Sequence, residues 1–292
     1  MRVAIIGNSH FGQILFRNLS SYDKDNSYIF YNTSEKKFDK IKFFINLPFI
    51  DIVYSVGATI YGGGALNWAL KFNKKIVQHF IGSDVLSAQE DFKNHNINKK
   101  LINQSRYLCE VNWIKDELKE IDIEADIKAI MIYDKFIEAQ KFKDFSVLTY
   151  MGKGKEKFYG VEDFIKLAKA FPDIDFKIAG IDSFENLPLN IKCLGWIDMI
   201  EELQQSTVFI RNALHDGLGF SVIESLSLGR ITFYNYNFPH VNYFEDYNGL
   251  KNQFIKIVDD KKLKVNNESI AFVQENFNRE NVLDNLIKAI CD

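Results

Sequence analysis

Proline is nearly absent from this 292-residue chain, with four residues, and cysteine is rarer still, with three. Cys109, Cys193 and Cys291 are widely spaced and odd in number. That excludes a disulfide framework or a closed zinc site and makes a reducing cytoplasm the expected compartment. No apolar run approaches the ~20 residues that a membrane-spanning helix requires. The segment from Met1 to Gly7 reads as a first strand rather than a leader. An excess of one charge is missing too. With 36 Lys and Arg against 39 Asp and Glu, the formal charge is −3, so no broad field recruits nucleic acid.

What remains is the composition of a folded α/β protein. Hydrophobic residues make up 47% and charged residues 26%, which argues for a packed core and against disorder. The abundance of Phe, Ile, Lys and Asn beside scarce Pro reads as a genomic bias. The length suits two α/β domains.

Short apolar runs alternate with amphipathic stretches from end to end, the pattern of βα units on a parallel sheet. In the first half, strands are expected over residues 3–6, 28–31, 52–56, 75–79, 107–111 and 127–132. Helices are expected over 12–19, 65–72 and 113–120. The segment 134–144 is charged and without strand signal, a plausible linker. A second series of strands follows at 147–151, 175–179, 191–194, 208–210 and 231–234, with helices at 161–171, 199–205 and 220–228. The tail after Tyr247 carries only helical patterns. The expected division is 1–137 and 138–292, with the last helix free to pack back on the first domain. Two such sheets facing each other would leave a cleft lined by the carboxyl ends of their strands, where folds of this kind bind ligands.

The first strand runs into GNSHFG, Gly7 to Gly12. This is a near miss to the dinucleotide fingerprint G-x-G-x-x-G, with Ser9 at the middle glycine and Asn32-Thr33 where an acidic residue would end the second strand. Both departures disfavour a dehydrogenase. The turn is either a bare strand-to-helix connection or, through Gly7, Ser9, His10 and Gly12, a contact to a phosphate or an acceptor. A second cluster, residues 57–64, ends in Gly62-Gly63-Gly64. Gly63 permits close backbone approach, and Tyr61 and Trp68 offer rings to a sugar, or the loop is merely unusual. His79 ends a buried strand in QHFIGSDVL and is a candidate for contact with a ligand. Asp84 reads as a structural cap.

The richest stretch is FIRNALHDGLGFSVIESLSLG, Phe209 to Gly229. A helix starting near Gly219 presents amide donors and a positive dipole end. Gly219, Phe220 and Ser221 are therefore candidates to hold a diphosphate through their backbone N–H groups. Glu224 lies one turn further, about 6 Å along the axis at ~1.5 Å per residue, the reach from a nucleotide's phosphates to its ribose hydroxyls. Asp216 precedes the helix, on the side where a transferred sugar would lie. The alternative is a capped amphipathic helix with a solvated Asp and Glu. At the first turn of the second half, YMGKGKEKFYG interleaves Gly152, Gly154 and Gly160 with Lys153, Lys155 and Lys157. These lysines are suited to neutralise a departing diphosphate, or form a solvated basic loop.

At these residues the chain resembles the retaining glycosyltransferases of family 4, in the GT-B superfamily. The similarity is collinear over most of the chain and strongest from Tyr150 to about Tyr234: the basic glycine turn, Ile178-Ala179-Gly180, Cys193-Leu194-Gly195-Trp196, and the E-x7-E element at Asp216 and Glu224. The resemblance implies an α/β GT-B fold of two Rossmann-like domains with parallel sheets facing across a cleft. It also implies transfer of a sugar from a nucleoside-diphosphate donor, UDP or GDP, to an acceptor hydroxyl with retention. Glu224 would bind the ribose, Asp216 and His79 the transferred sugar, and Gly152, Arg211, Gly217 and Gly219 the rest of the donor. Lys153 or Lys157 would assist the leaving group. Three departures stand out: Asp216 is shorter than the family's glutamate, Arg211-x4-Asp216-Gly217 replaces a Pro-Ser, and Tyr159 occupies a lysine position.

No metal is expected, since Asp173-Ile174-Asp175 follows a helix and reads as a surface turn. The acceptor is a sugar or a lipid-linked glycan, which suits polysaccharide synthesis in the cytoplasm or at the inner face of a membrane. Lys36, Lys37, Lys40 and Lys42 interleave with Phe38, Phe43 and Phe44, compatible with an ordinary amphipathic helix or with peripheral membrane contact. The competing readings are a sugar-nucleotide epimerase or hydrolase of the same architecture and a non-catalytic nucleotide-sugar-binding protein.

Overall fold

The computed structural model describes residues 1–134, 137–142, 144–260 and 263–292. The expected linker contains Lys135, Phe136 and Lys143, which lie outside the described residues. The chain forms two compact units, residues 1–132 with 279–292, and residues 133–278.

The first unit is a six-stranded parallel sheet. Its strands are β1 (Arg2–Gly7), β2 (Ser27–Phe30), β3 (Ile52–Val56), β4 (Lys75–Phe80), β5 (Ser105–Cys109) and β6 (Ala125–Ile127), in the spatial order β2-β1-β3-β4-β5-β6. Strand side chains alternate between two buried faces, as the two-residue period of a doubly covered sheet requires. Val3 and Ile5 face a cluster built with α1 (Ser9–Tyr22) and the C-terminal helix Arg279–Cys291. Ala4 and Ile6 face the other way, toward Phe43 of α2 (Lys37–Asn46), Leu47, and Leu66 and Ala69 of α3 (Gly64–Lys71). Helices α4 (Asp84–Lys93), α5 (Lys99–Gln104) and α6 (Asn112–Lys119) complete the series. The strand expected over 127–132 is shorter and earlier. It pairs with β5 only from Ala125 to Ile127, and residues 128–132 leave the sheet.

The second unit repeats the plan. Its strands are β7 (Ser146–Tyr150), β8 (Asp175–Ala179), β9 (Ile191–Gly195), β10 (Val208–Arg211), β11 (Ile231–Tyr234) and β12 (Asn242–Tyr243), in the order β12-β11-β10-β7-β8-β9, all parallel. Around them lie α7 (Val161–Ala170), α8 (Met199–Gln205), α9 (Phe220–Ser227), α10 (Tyr247–Asp259) and α11 (Asn267–Asn276), and the C-terminal helix of the first unit is α12. Val147, Phe164, Phe176, Ile210, Phe233 and Phe254 centre the core. Arg230 is fully enclosed. Its guanidinium donates to the carbonyls of Gln204, Ser206, Leu228 and Gln140 and lies 4.7 Å from the Phe142 ring. It thereby fastens residues 140–142 to this unit.

In each unit the strand order reverses beside the first strand, between β1 and β3 and between β7 and β10. Open parallel sheets bind ligands outside the carboxyl ends of the strands at such a switch point.

Candidate functional site

The second unit places both of its sequence candidates at that point. The loop after β7 carries Gly152 to Gly160, and the loop after β10 carries Arg211 to Gly219. The two loops are joined. Leu214 N–H donates to the Phe158 carbonyl at 2.9 Å, and Gly160, left-handed at φ 65°, leaves no room for a Cβ against the Asn212 side chain. Lys153, Lys155 and Lys157 are all exposed on the first loop.

Helix α9 starts in a way that favours an anion. Its cap is Gly219, no side chain caps it, and its first turn contains no acid. Without a side-chain cap, the helix dipole leaves this end positive. Arg211, at the end of β10, lies beside it together with its ion-pair partner Asp216, since a Cβ on Gly219 would lie 3.3 Å from Asp216 Oδ2 and 3.4 Å from Arg211 Nε. The α9 helix is buried around most of its circumference, with Val222, Ile223 and Leu226 fully enclosed. Glu224 is its one charged residue and is half-buried, one turn in from the start. Its charge reaches Tyr133: the phenol's pKa is raised first by burial and further by Glu224, against a lowering hydrogen bond from Ser227.

Arg211 and Asp216 form a feature that sequence reasoning did not foresee. Asp216 accepts from Arg211 Nε at 2.8 Å and from a terminal guanidinium nitrogen at 3.1 Å, and also from the Tyr234 hydroxyl at 3.2 Å. Both partners of this bidentate pair are largely buried. Burial opposes the arginine's charge, but the Asp216 carboxylate outweighs it and the guanidinium pKa is raised. Tyr159, at the position where a lysine was expected, faces the guanidinium with its ring at 4.6 Å. Asp216 is thus committed to Arg211 in this arrangement. Removing one partner of such a pair costs about 3–5 kcal/mol, so the first effect of any change here is on the fold. Tyr234 also donates to the Gly217 carbonyl at 3.0 Å, which fixes the loop before α9.

Two further aromatic residues belong to this edge. Trp196 follows β9 and is 85% exposed, its ring 6.5 Å from Tyr150 at the end of β7. Together with Gly180 they line a small cavity. A roomier groove of the same unit lies at the amino-terminal edge, lined by Ser146, Asp175 and Gln205, away from the loops that carry the chemistry.

In the first unit the two glycine clusters also meet at the switch point. Asn8 N–H donates to the Val56 carbonyl at 2.6 Å, and the Asn8 side chain caps α1 through His10 and Phe11. Gly7 is required by this close approach, having φ 99° and Val56 where a Cβ would be. Gly12 is buried with its Cα against the Phe30 ring, so it serves helix-sheet packing rather than ligand contact. Ser9 donates to Glu35, and His10, Tyr61 and Gly63 are exposed. Asp84 is not the helix cap expected of it: Ser83 holds that position, no side chain caps α4, and Asp84 is its first residue. Its carboxylate accepts from Ala58, Ile81 and Gly82, tying the loop after β3 to the loop after β4.

His79 is not where a ligand contact needs it. The ring is fully enclosed in the sheet, with Nδ1 2.8 Å from the Tyr54 hydroxyl. Burial drives its pKa down to about 3, offset in part by the backbone of Lys128 and Cys109. It is a neutral core histidine, and the role expected for it at the sugar is withdrawn. A histidine at a strand end reads the same in sequence whichever face it takes.

Among the described residues, no three His, Cys, Asp or Glu side chains are gathered as metal ligands, and no helix is long and apolar enough to cross a membrane.

No family model and no curated protein matches this chain. Solved structures do. The chain is similar to HepE of Anabaena in complex with UDP (TM-score 0.74, 9% identity, all of both chains). It is also similar to sucrose-phosphate synthase of Thermosynechococcus elongatus (0.70, 11%, 99% of this chain and 98% of that one). A third is S. aureus TarM, bound to fondaparinux, α-GlcNAc-glycerol and UDP (0.59, 13%, 82% of this chain). The chain spans about half of TarM, 55% of its length. The fold is therefore GT-B, an α/β architecture of two Rossmann-like domains shared with nucleotide-sugar-using glycosyltransferases.

Proposed function

We propose that this chain is a glycosyltransferase that takes a nucleoside-diphosphate-sugar at the carboxyl edge of its second unit and passes the sugar to an acceptor hydroxyl with retention. The observation that carries this reading is the start of α9, a helix end at the switch point with no side-chain cap and no acid in its first turn, with the Arg211–Asp216 pair beside it and Glu224 one turn in. The amides of Phe220 and Ser221 face the diphosphate, and Glu224 accepts the ribose hydroxyls. Trp196 and Tyr150 offer ring faces to the base. Lys153 and Lys157, on the mobile ends of long side chains, close over the phosphates. UDP and GDP are the nucleotides proposed, and the UDP in HepE and TarM supports the first.

In the reaction, the bond between the anomeric carbon and the diphosphate oxygen breaks, and its electron pair goes to the diphosphate. The acceptor oxygen forms the new bond on the same face, and its proton passes to the departing phosphate oxygen. The burden is the charge on the leaving group, met by the helix amides and the lysines without a metal, while Arg211 stays paired with Asp216 beside the helix start. Asp216 acts by positioning Arg211 and the loop before α9. The acceptor, a sugar or a lipid-linked glycan, is assigned to the first unit, where His10, Tyr61 and Gly63 are exposed at its own switch point.

Release of UDP or GDP from the corresponding sugar nucleotide tests the reading. Release should require an added acceptor and survive excess chelator. Release without acceptor would make the chain an epimerase or hydrolase. No release under any condition, with binding retained, would make it a binding protein. Loss on chelation that magnesium or manganese restores would overturn the metal-free mechanism.

A further inference from the structure

Helix α2 is turned inside out. At ~100° per residue, Asp39, Phe43 and Leu47 share one side, and of these Phe43 and Leu47 are buried in the first unit's core. The opposite side carries Phe38, Ile41 and Ile45, the first and last 78% and 63% exposed. Amphipathic helices of globular proteins turn such a stripe inward. Here it faces solvent.

Neighbouring elements extend the stripe. Phe49, in the 3-10 turn Leu47–Phe49, is 64% exposed. Phe44 lies edge-on to Trp68 and Phe72, with ring centroids 4.6 and 6.1 Å away. Both partners are exposed at the end of α3. Exposed aromatic and aliphatic side chains are thus gathered on residues 38–49 and 68–72, joined through Phe44.

The surrounding charge is one-sided. Lys37 and Lys42 flank the stripe on α2, with Lys36 and Lys40 nearby, all exposed. From α3, Lys71 lies over the Trp68 ring at 4.5 Å. Lys74 donates to the Pro48 carbonyl at 3.2 Å. Asp39, Glu35 and Asp51 are the acids in this region, and Asp51 accepts from the Arg2 amide. A chain whose net charge is −3 thus gathers lysines around this exposed hydrophobic surface.

We propose that this surface docks on an anionic lipid bilayer, with Phe38, Ile41, Ile45 and Phe49 entering the headgroup boundary and the lysines meeting anionic lipid. Large apolar patches on a soluble surface mark interaction sites. An apolar face flanked by lysines, with aromatic residues at its border, is what an interfacial helix presents to a membrane. A second copy of the chain fits less well. A two-fold contact through this patch would set each lysine cluster against its own image, with few acids to neutralise them. The docking does not depend on the transfer reaction, and its test reads lipid binding alone.

The full chain is sedimented with vesicles of phosphatidylcholine, and with vesicles in which about one third is phosphatidylglycerol. It should bind the second and not the first, and binding should weaken at high salt. Ile41→Glu with Ile45→Glu should lower vesicle affinity at least tenfold with an unchanged melting temperature, because both side chains are exposed. Lys37→Gln with Lys42→Gln should lower it roughly 30-fold, from about 1 kcal/mol per lysine. No binding to anionic vesicles at low salt would overturn the proposal, as would variants that bind like the parent. Self-association in size-exclusion chromatography that Ile41→Glu with Ile45→Glu abolishes would identify the patch as a contact between copies instead.

Discussion

His79 and Asp84 show how far a side chain's meaning depends on what encloses it. His79 has a folded pKa of about 3 against an ordinary 6.5. Below about pH 6.5 the unfolded chain therefore takes up a proton that the folded chain refuses. Stability falls as the pH drops toward 3, by about 1.4 kcal/mol per unit for this group. Asp84 works the other way. Burial raises its pKa to about 6 despite its amide donors, so the folded chain holds a proton that the unfolded chain releases. That contribution is full below about pH 4 and is lost as the pH rises through about 6. The two slopes oppose each other in the parent protein, so the informative comparison is with His79→Gln. Urea melts between pH 7 and pH 5 should show the parent losing stability relative to the variant. Parallel curves would mean that His79 is protonated in the fold.

At the scale of elements, the glycines that join the two site loops matter more than their abundance. Gly160 sits at φ 65° with Asn212 in the space a Cβ would take. Gly160→Ala therefore combines a left-handed strain of about 1–2 kcal/mol with a collision between the loops after β7 and β10. Thermal unfolding should show a drop of that order, and UDP should bind more weakly. Unchanged UDP affinity would separate the β7 loop from the nucleotide site. Most elements were legible in the sequence, since strand runs such as residues 52–56 and 208–210 are short, apolar and bounded by turn residues. The helix start at Gly219 was legible for the same reason, because glycines and a polar loop precede an apolar run. The Arg211–Asp216 pair was not. It depends on a loop folding back over five residues, which no periodicity encodes. The outward face of α2 was left open between two readings, because a pattern of Phe, Ile and Lys fits a core-facing helix as well as a membrane-facing one until the sheet chooses Phe43 and Leu47. The strand expected over 127–132 failed because apolar residues that leave a sheet edge still pack against the core, as Ile130 does.

For the whole molecule, the account rests on the second unit holding the nucleotide. Its switch point carries the helix start without a side-chain cap, the buried arginine and the basic loop. The first unit offers instead a turn whose glycines serve packing and close approach. The fold alone does not decide this, since both units share one plan. What distinguishes them is Glu224, the single charged residue of α9, placed one turn from the phosphate-binding end. Calorimetric titration of UDP, and in parallel GDP, into the parent and into Glu224→Gln tests it most directly. The account predicts one site per chain with one of the two nucleotides, and affinity at least tenfold weaker in the variant at an unchanged melting temperature. Equal affinity in both proteins, or no binding of either nucleotide by the parent, would contradict it.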